Sequence, residues 1–177
     1  LIDLFAGPGG LGEGFTSVST NKNSFHIGVS IEKDFFAHKT LSLRAFYRHF
    51  VNSKTTVPSE YYSYLAGDIS REDLEIAYPY EWSIAYGEAT CAELGNPSAD
   101  HQPLIDNKIS SALSDTKNWV LIGGPPCQAY SQMGRSCKVG ALKAKNLDSD
   151  NATVRKIFEQ DERHTLYEQY LRIIAKY

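Results

Sequence analysis

One thiol stands where it could do chemistry. Cys127 lies in Val120-Leu-Ile-Gly-Gly-Pro-Pro-Cys-Gln-Ala-Tyr-Ser131. Val120, Leu121 and Ile122 form a short apolar run that reads as a buried strand. Gly123 and Gly124 allow a sharp turn and a close approach of backbone to ligand. Pro125 and Pro126 then fix φ and remove two N–H donors, so the segment is stiff and cannot lie inside a helix. The pattern predicts a thiol on a rigid loop just past the carboxyl end of a strand, where open α/β sheets bind ligands. A buried, inert thiol is the competing reading of a cysteine taken alone.

A second chemical stretch opens the chain. Leu1-Ile-Asp-Leu-Phe5 reads as a strand, Ala6-Gly-Pro-Gly-Gly10 as a turn, and Leu11 to Ser17 as a helix. Glycines let the backbone close on a ligand, and helix-start N–H groups favour a polar or anionic one. Such turns serve NAD, FAD and S-adenosyl-L-methionine (AdoMet) alike. Glu32 follows about 20 residues later, at the end of the strand pattern Ser24 to Ile31, where a carboxylate can accept bonds from ribose hydroxyls. Its plainer reading is an acid favoured by a helix start.

The remaining elements must position these groups. A helix over about Asp34 to Phe50 is expected to bury Phe36, Leu43, Phe46, Tyr47 and Phe50 as core. Tyr61 to Ala66 reads as a third strand ending in Gly67-Asp68-Ile69. Ser70 with Asp73 looks like a capping pair for a helix to about Ala77. Residues 80–102 read as a peripheral insertion, in which His101 is a surface or packing histidine. A helix over Pro103 to Asp115 is expected to bury Leu104, Ile105, Ile109 and Leu113, and Lys117 to Ile122 reads as strand four. A last helix over Glu162 to Lys176 is expected to bury Leu166, Tyr170, Ile173, Ile174 and Tyr177. Alternating strands and helices with short glycine turns imply α/β class, a doubly wound and mostly parallel sheet. In such a sheet strands one and four are neighbours where strand order reverses.

The two loops together resemble the cytosine-C5 methyltransferases. Gly-Pro-Pro-Cys127-Gln matches that family's thiol loop, and Asp3-Leu-Phe-Ala-Gly-Pro-Gly-Gly-Leu11 its AdoMet loop, in the right order. The resemblance implies a Rossmann-like AdoMet-dependent domain, incomplete in this chain. It gives Phe5, Ala6, Gly7, Gly9, Gly10, Leu11, Glu32, Lys33, Asp68, Ile69 and Pro126 to the cofactor, with Phe5 on the adenine, Glu32 on the ribose and Asp68 near the adenine amino group. It makes Cys127 the catalytic nucleophile and Gln128 and Ser131 substrate contacts, with residues 132–156 as a catalytic loop. The implied reaction is AdoMet-dependent methylation of C5 of a cytosine flipped out of DNA. Relatives acting on tRNA share both loops, and a non-catalytic AdoMet-binding module is the reading from a different class. The family's Glu-Asn-Val motif and target-recognition region are not found here, so residues 1–177 read as the first half of a catalytic domain. The rest is expected from further sequence or a second chain.

Composition sets outer limits. The chain of 177 residues carries a net charge of -3, no overall basic footprint for nucleic acid. The segment Gly134 to Lys156 is locally basic, with Arg135, Lys138, Lys143, Lys145, Arg155 and Lys156 against Asp148 and Asp150, and reads either as a solvated loop or as a phosphate contact. Cys91, Cys127 and Cys137 are widely spaced, which suits a reducing intracellular compartment, cytoplasmic or nuclear, and forms no zinc spacing. No apolar run is long enough to span a bilayer, and no membrane partner is expected.

Overall fold

The computed structural model describes residues 1–18, 24–96, 101–125 and 166–177. Two units are described separately, Leu1–Gly124 and Pro125–Tyr177. The first is built on strands β1 (Ile2–Leu4), β2 (Val29–Glu32), β3 (Ala89–Cys91) and β4 (Leu121–Gly123). They form one sheet in the order β3-β2-β1-β4, parallel at every described pairing. The order reverses between β1 and β4. This is the α/β doubly wound arrangement expected from the sequence, with strands one and four adjacent.

Helix α1 (Gly10–Ser17) follows β1, and α2 (Phe35–Asn52) follows β2. Asp34 caps α2 by accepting the Ala37 N–H at 2.8 Å. Leu41 of α2 packs with Ala6 and Ala89, which covers one face of the sheet. The return connection from β3 to β4 contains α6 (His101–Leu113). Right-handed crossovers direct that helix to the opposite face. Ile105 and Ile109 are its buried residues, while Leu104, expected in the same stripe, is 41 % exposed.

Between α2 and β3 lie α3 (Ser59–Ala66), α4 (Arg71–Ala77) and α5 (Pro79–Glu88). The expected third strand at Tyr61–Ala66 is therefore a helix. Gly67 ends it in the left-handed region, donating its N–H back to Tyr64. The spacing of Tyr61 and Tyr64 puts both against the core around Phe46, and that packing overrides the local β propensity of a tyrosine-rich run. The Ser70–Asp73 capping box is present as read. Residues 80–102, expected as a peripheral insertion, contain regular structure. They include residues of α5, which buries Trp82 and Ala85, and the edge strand β3.

The hydrophobic centre of this helical layer is Phe46, with no exposed surface. Trp82 stacks on it at 4.7 Å, Phe50 meets it edge-on at 5.1 Å, and Tyr78 edge-on at 6.0 Å. The Arg71 guanidinium lies 4.4 Å above the Trp82 ring and is bonded by Glu75, Ser42 and the Lys39 carbonyl. Phe36 and Tyr47, expected in the core, lie on the outer side of α2. In the second unit the described helix is α7 (Leu166–Lys176), in which Ile173 is buried and Ile174, expected to be buried, is exposed. Among the described residues no helix is long and apolar enough to cross a membrane.

Candidate active site

The site gathers at the carboxyl edge of the sheet. After Leu4 the backbone leaves β1 in the left-handed region at Phe5, with φ of 55°, and again at Gly7 and Gly9, with φ of 56° and 89°. A left-handed phenylalanine is strained and persists only where neighbours hold it. Here the Ala6 N–H donates to the Ile31 carbonyl, and the Gly7 N–H to Glu32 Oε2 at 2.7 Å. Gly9 is required on two counts. Its φ suits glycine, and a Cβ there would stand 2.8 Å from Leu41 Cδ1. Gly9 also caps α1 without any side-chain hydrogen bond of its own, and the Asp3 carboxyl lies behind the first turn, beside the Gly12 N–H.

Glu32 ties the turn to β2. Its other oxygen accepts the Asp34 N–H at 2.7 Å. Each carboxylate oxygen keeps a further lone pair for a ligand hydroxyl. Beside it, residues Lys33, Asp34 and Phe35 after β2, Cys91 at the end of β3, and Ala92 and Glu93 after it line a pocket of about 440 Å³, with His101. Lys33 Nζ donates to Glu93 Oε1 at 2.8 Å, and Asn96 Nδ2 to Glu93 Oε2 at 2.9 Å. These two contacts hold the Glu93 carboxyl below its ordinary range. The Glu93 N–H donates to His101 Nδ1 at 3.0 Å, which gives His101 a place on the site's rim. Burial pushes the Cys91 thiol up, and the carboxylates of Glu32 and Asp34 push it further.

The structure thus brings Phe5, Ala6, Gly7, Gly9, Gly10, Leu11, Glu32 and Lys33 to one edge. It sets Asp68 and Ile69 in a different context from the one expected. They follow a helix, not a strand; Asp68 is exposed and Ile69 packs against the Phe46 cluster. The carboxyl end of the third strand carries Cys91, Ala92, Glu93 and Leu94 instead. Pro126, Cys127, Gln128 and Ser131 lie outside the described residues, as do residues 132–156. What is described is the strand that leads to them: Gly123 of β4 pairs with Leu4 of β1, and the Gly124 N–H donates to the Leu4 carbonyl at 3.3 Å. Among the described residues no cluster of His, Cys, Asp or Glu is placed to hold a metal ion.

Two groups escaped the sequence reading. Glu93 has no motif around it, and only the location of β3 finds it. Asp3 had a visible signal, an acid inside an apolar strand. Its side chain is wholly buried beside the first turn of α1. Neither oxygen reaches hydrogen-bond geometry with any group. Burial raises its pKa to about 6, against the opposing pull of the Gly12 N–H and of Arg48.

A parallel α/β sheet with a glycine turn after β1 and a carboxylate at the end of β2 is consistent with a Rossmann-like methyltransferase fold. The chain is similar to the Type II methyltransferase M.Bpa9945I of Bacillus paralicheniformis, with 29 % identity over 192 residues that include 100 % of this chain and 38 % of that protein. It therefore spans well under half of the relative's length, and the similarity supports kinship with methyltransferases. No protein-family model matches the chain, and no solved structure does.

Proposed function

We propose that this chain is the cofactor-binding and thiol-bearing part of a cytosine-C5 methyltransferase acting on DNA. The observation that supports this most directly is the pairing of β1 with β4. The strand that ends in the glycine turn and the strand that runs into Gly-Gly-Pro-Pro-Cys127-Gln leave the sheet side by side at the reversal of strand order. The residues fit AdoMet. The uncapped start of α1 and the left-handed glycines suit close backbone approach, and Glu32 offers carboxylate oxygens for ribose hydroxyls. We assign the adenine end of the pocket to Glu93 and Leu94 in place of Asp68 and Ile69. When bound, AdoMet supplies an electrophilic methyl group and departs as a neutral thioether.

Cytosine C5 is too poor a nucleophile to accept that methyl unaided. The Cys127 thiolate forms a bond to C6, and the C5=C6 π electrons move onto C5, which then bonds the methyl. A base removes the C5 proton, those electrons restore the double bond, and the thiolate leaves. Splitting one hard step into two is what a nucleophilic side chain contributes. In a duplex the base must leave the stack to meet the thiol. Gln128 and Ser131 are proposed contacts for that nucleotide. The remainder of the catalytic domain, with the Glu-Asn-Val motif and target recognition, is proposed to come from further sequence or a second chain.

The test is to incubate the intact protein with AdoMet and duplex DNA carrying 5-fluorocytosine. Fluorine cannot leave as a proton does, so a covalent protein–DNA adduct is expected at Cys127 and is expected to vanish in Cys127→Ser. An adduct with tRNA and none with DNA transfers the proposal to the tRNA class. AdoMet binding without either adduct leaves a non-catalytic binding module.

A further inference from the structure

The mechanism above makes no use of Asp3, the acid buried in the middle of β1. Ile2 and Leu4 flank it, and in register beside it stands Ser30, also wholly buried and with no hydrogen-bond partner for its hydroxyl. The carboxyl presses against the helix that the glycine turn starts: a Cβ on Gly12 would meet Asp3 Oδ2 at 3.1 Å and Ile27 Cδ1 at 2.8 Å. An ionised carboxylate whose nearby donor, the Gly12 N–H, falls short of hydrogen-bond geometry is costly to bury. The charged groups around it do not neutralise it. Arg48, on α2, opposes it from the layer above, yet it is engaged by Glu13 of α1 and by Glu88 at the end of α5. Glu32 adds a further negative charge. Carboxylates outnumber cations directly behind the glycine turn.

We propose that Asp3 is a specificity-determining residue that makes the cofactor pocket prefer a cationic sulfonium over the neutral thioether left after methyl transfer. The inference rests on the AdoMet reading. A buried negative charge in a low-dielectric setting acts through space. It stabilises the positively charged donor, and that stabilisation disappears once the methyl has gone, so the product is released. By linkage, the cation in turn drives the proton off Asp3.

The experiment is calorimetric titration of the intact protein with AdoMet and with S-adenosylhomocysteine from pH 5 to pH 8, in buffers of different ionisation enthalpy. The expected affinity ratio favours AdoMet by about tenfold above pH 7 and contracts as the pH falls through 6. Near pH 6 AdoMet is expected to release more protons than the thioether does. In Asp3→Asn the ratio is expected to be smaller and independent of pH. Should Asp3→Asn not fold, the wild-type ratio and proton release carry the test alone. Binding of both nucleosides with a ratio flat in pH and equal proton release overturns the role of Asp3 and leaves the AdoMet reading intact. Failure of both to bind overturns that reading, and this inference with it.

Discussion

The helical layer around Phe46 and the turn around Phe5 are built on opposite plans, although α2 contributes to both. In the layer, aromatic rings stack and meet edge-on, and the Arg71 guanidinium is bonded on several sides. At the turn a phenylalanine is held left-handed, and behind it a buried carboxyl lacks a well-formed hydrogen bond. The first region gains stability from dry contact. The second gives stability up, and such costs collect where a ligand is bound.

Substitutions can break that contrast or sharpen it. The largest effect is expected for Phe46→Ala, which removes the ring that Trp82, Phe50 and Tyr78 share. A loss of about 3–5 kcal/mol is expected in denaturant unfolding; a loss no larger than that of a surface substitution would mean the cluster is not the source of stability. Next comes Asp3→Asn, with the opposite sign. An acid whose pKa is raised to about 6 from 3.8 by folding binds its proton more tightly in the native state. Wild-type stability therefore falls as pH rises across that window and stays lowered above it. The asparagine does not titrate, so the stability of the variant relative to wild type is expected to rise by about 2 kcal/mol between pH 4 and pH 7. Parallel curves of stability against pH would remove Asp3 from the strained side of the comparison. The smallest effect is expected for Lys33→Met. Its ion pair with Glu93 is solvent-exposed, so the change in melting is expected to stay within about 0.5 kcal/mol. A larger loss would show that the rim of the pocket is structural.

Much of this was legible in the residues. The glycine turn, Glu32, the Ser70 cap and the adjacency of strands one and four follow from local chemistry and from the topology of parallel sheets. Strand β3 was not legible. Ala-Thr-Cys is too short and too mixed to show a period, and its pairing with β2 is the information that defines it. Mistaking Tyr61–Ala66 for that strand carried the adenine contact to Asp68, because a motif as short as Gly-Asp-Ile takes its meaning from the element before it. Asp3 was readable as an oddity but not as a buried acid, since burial depends on α1 and α2 closing over it.

The left-handed backbone at Phe5 restricts what this chain can become. A valine, isoleucine or threonine at that position would crowd its own carbonyl and pull the peptide plane round. The Gly7 N–H would then swing off Glu32, and the mouth of the crevice would lose its shape before any contact to a ligand had changed. Drift at position 5 is thus filtered by torsion angle as well as by the loss of an aromatic ring.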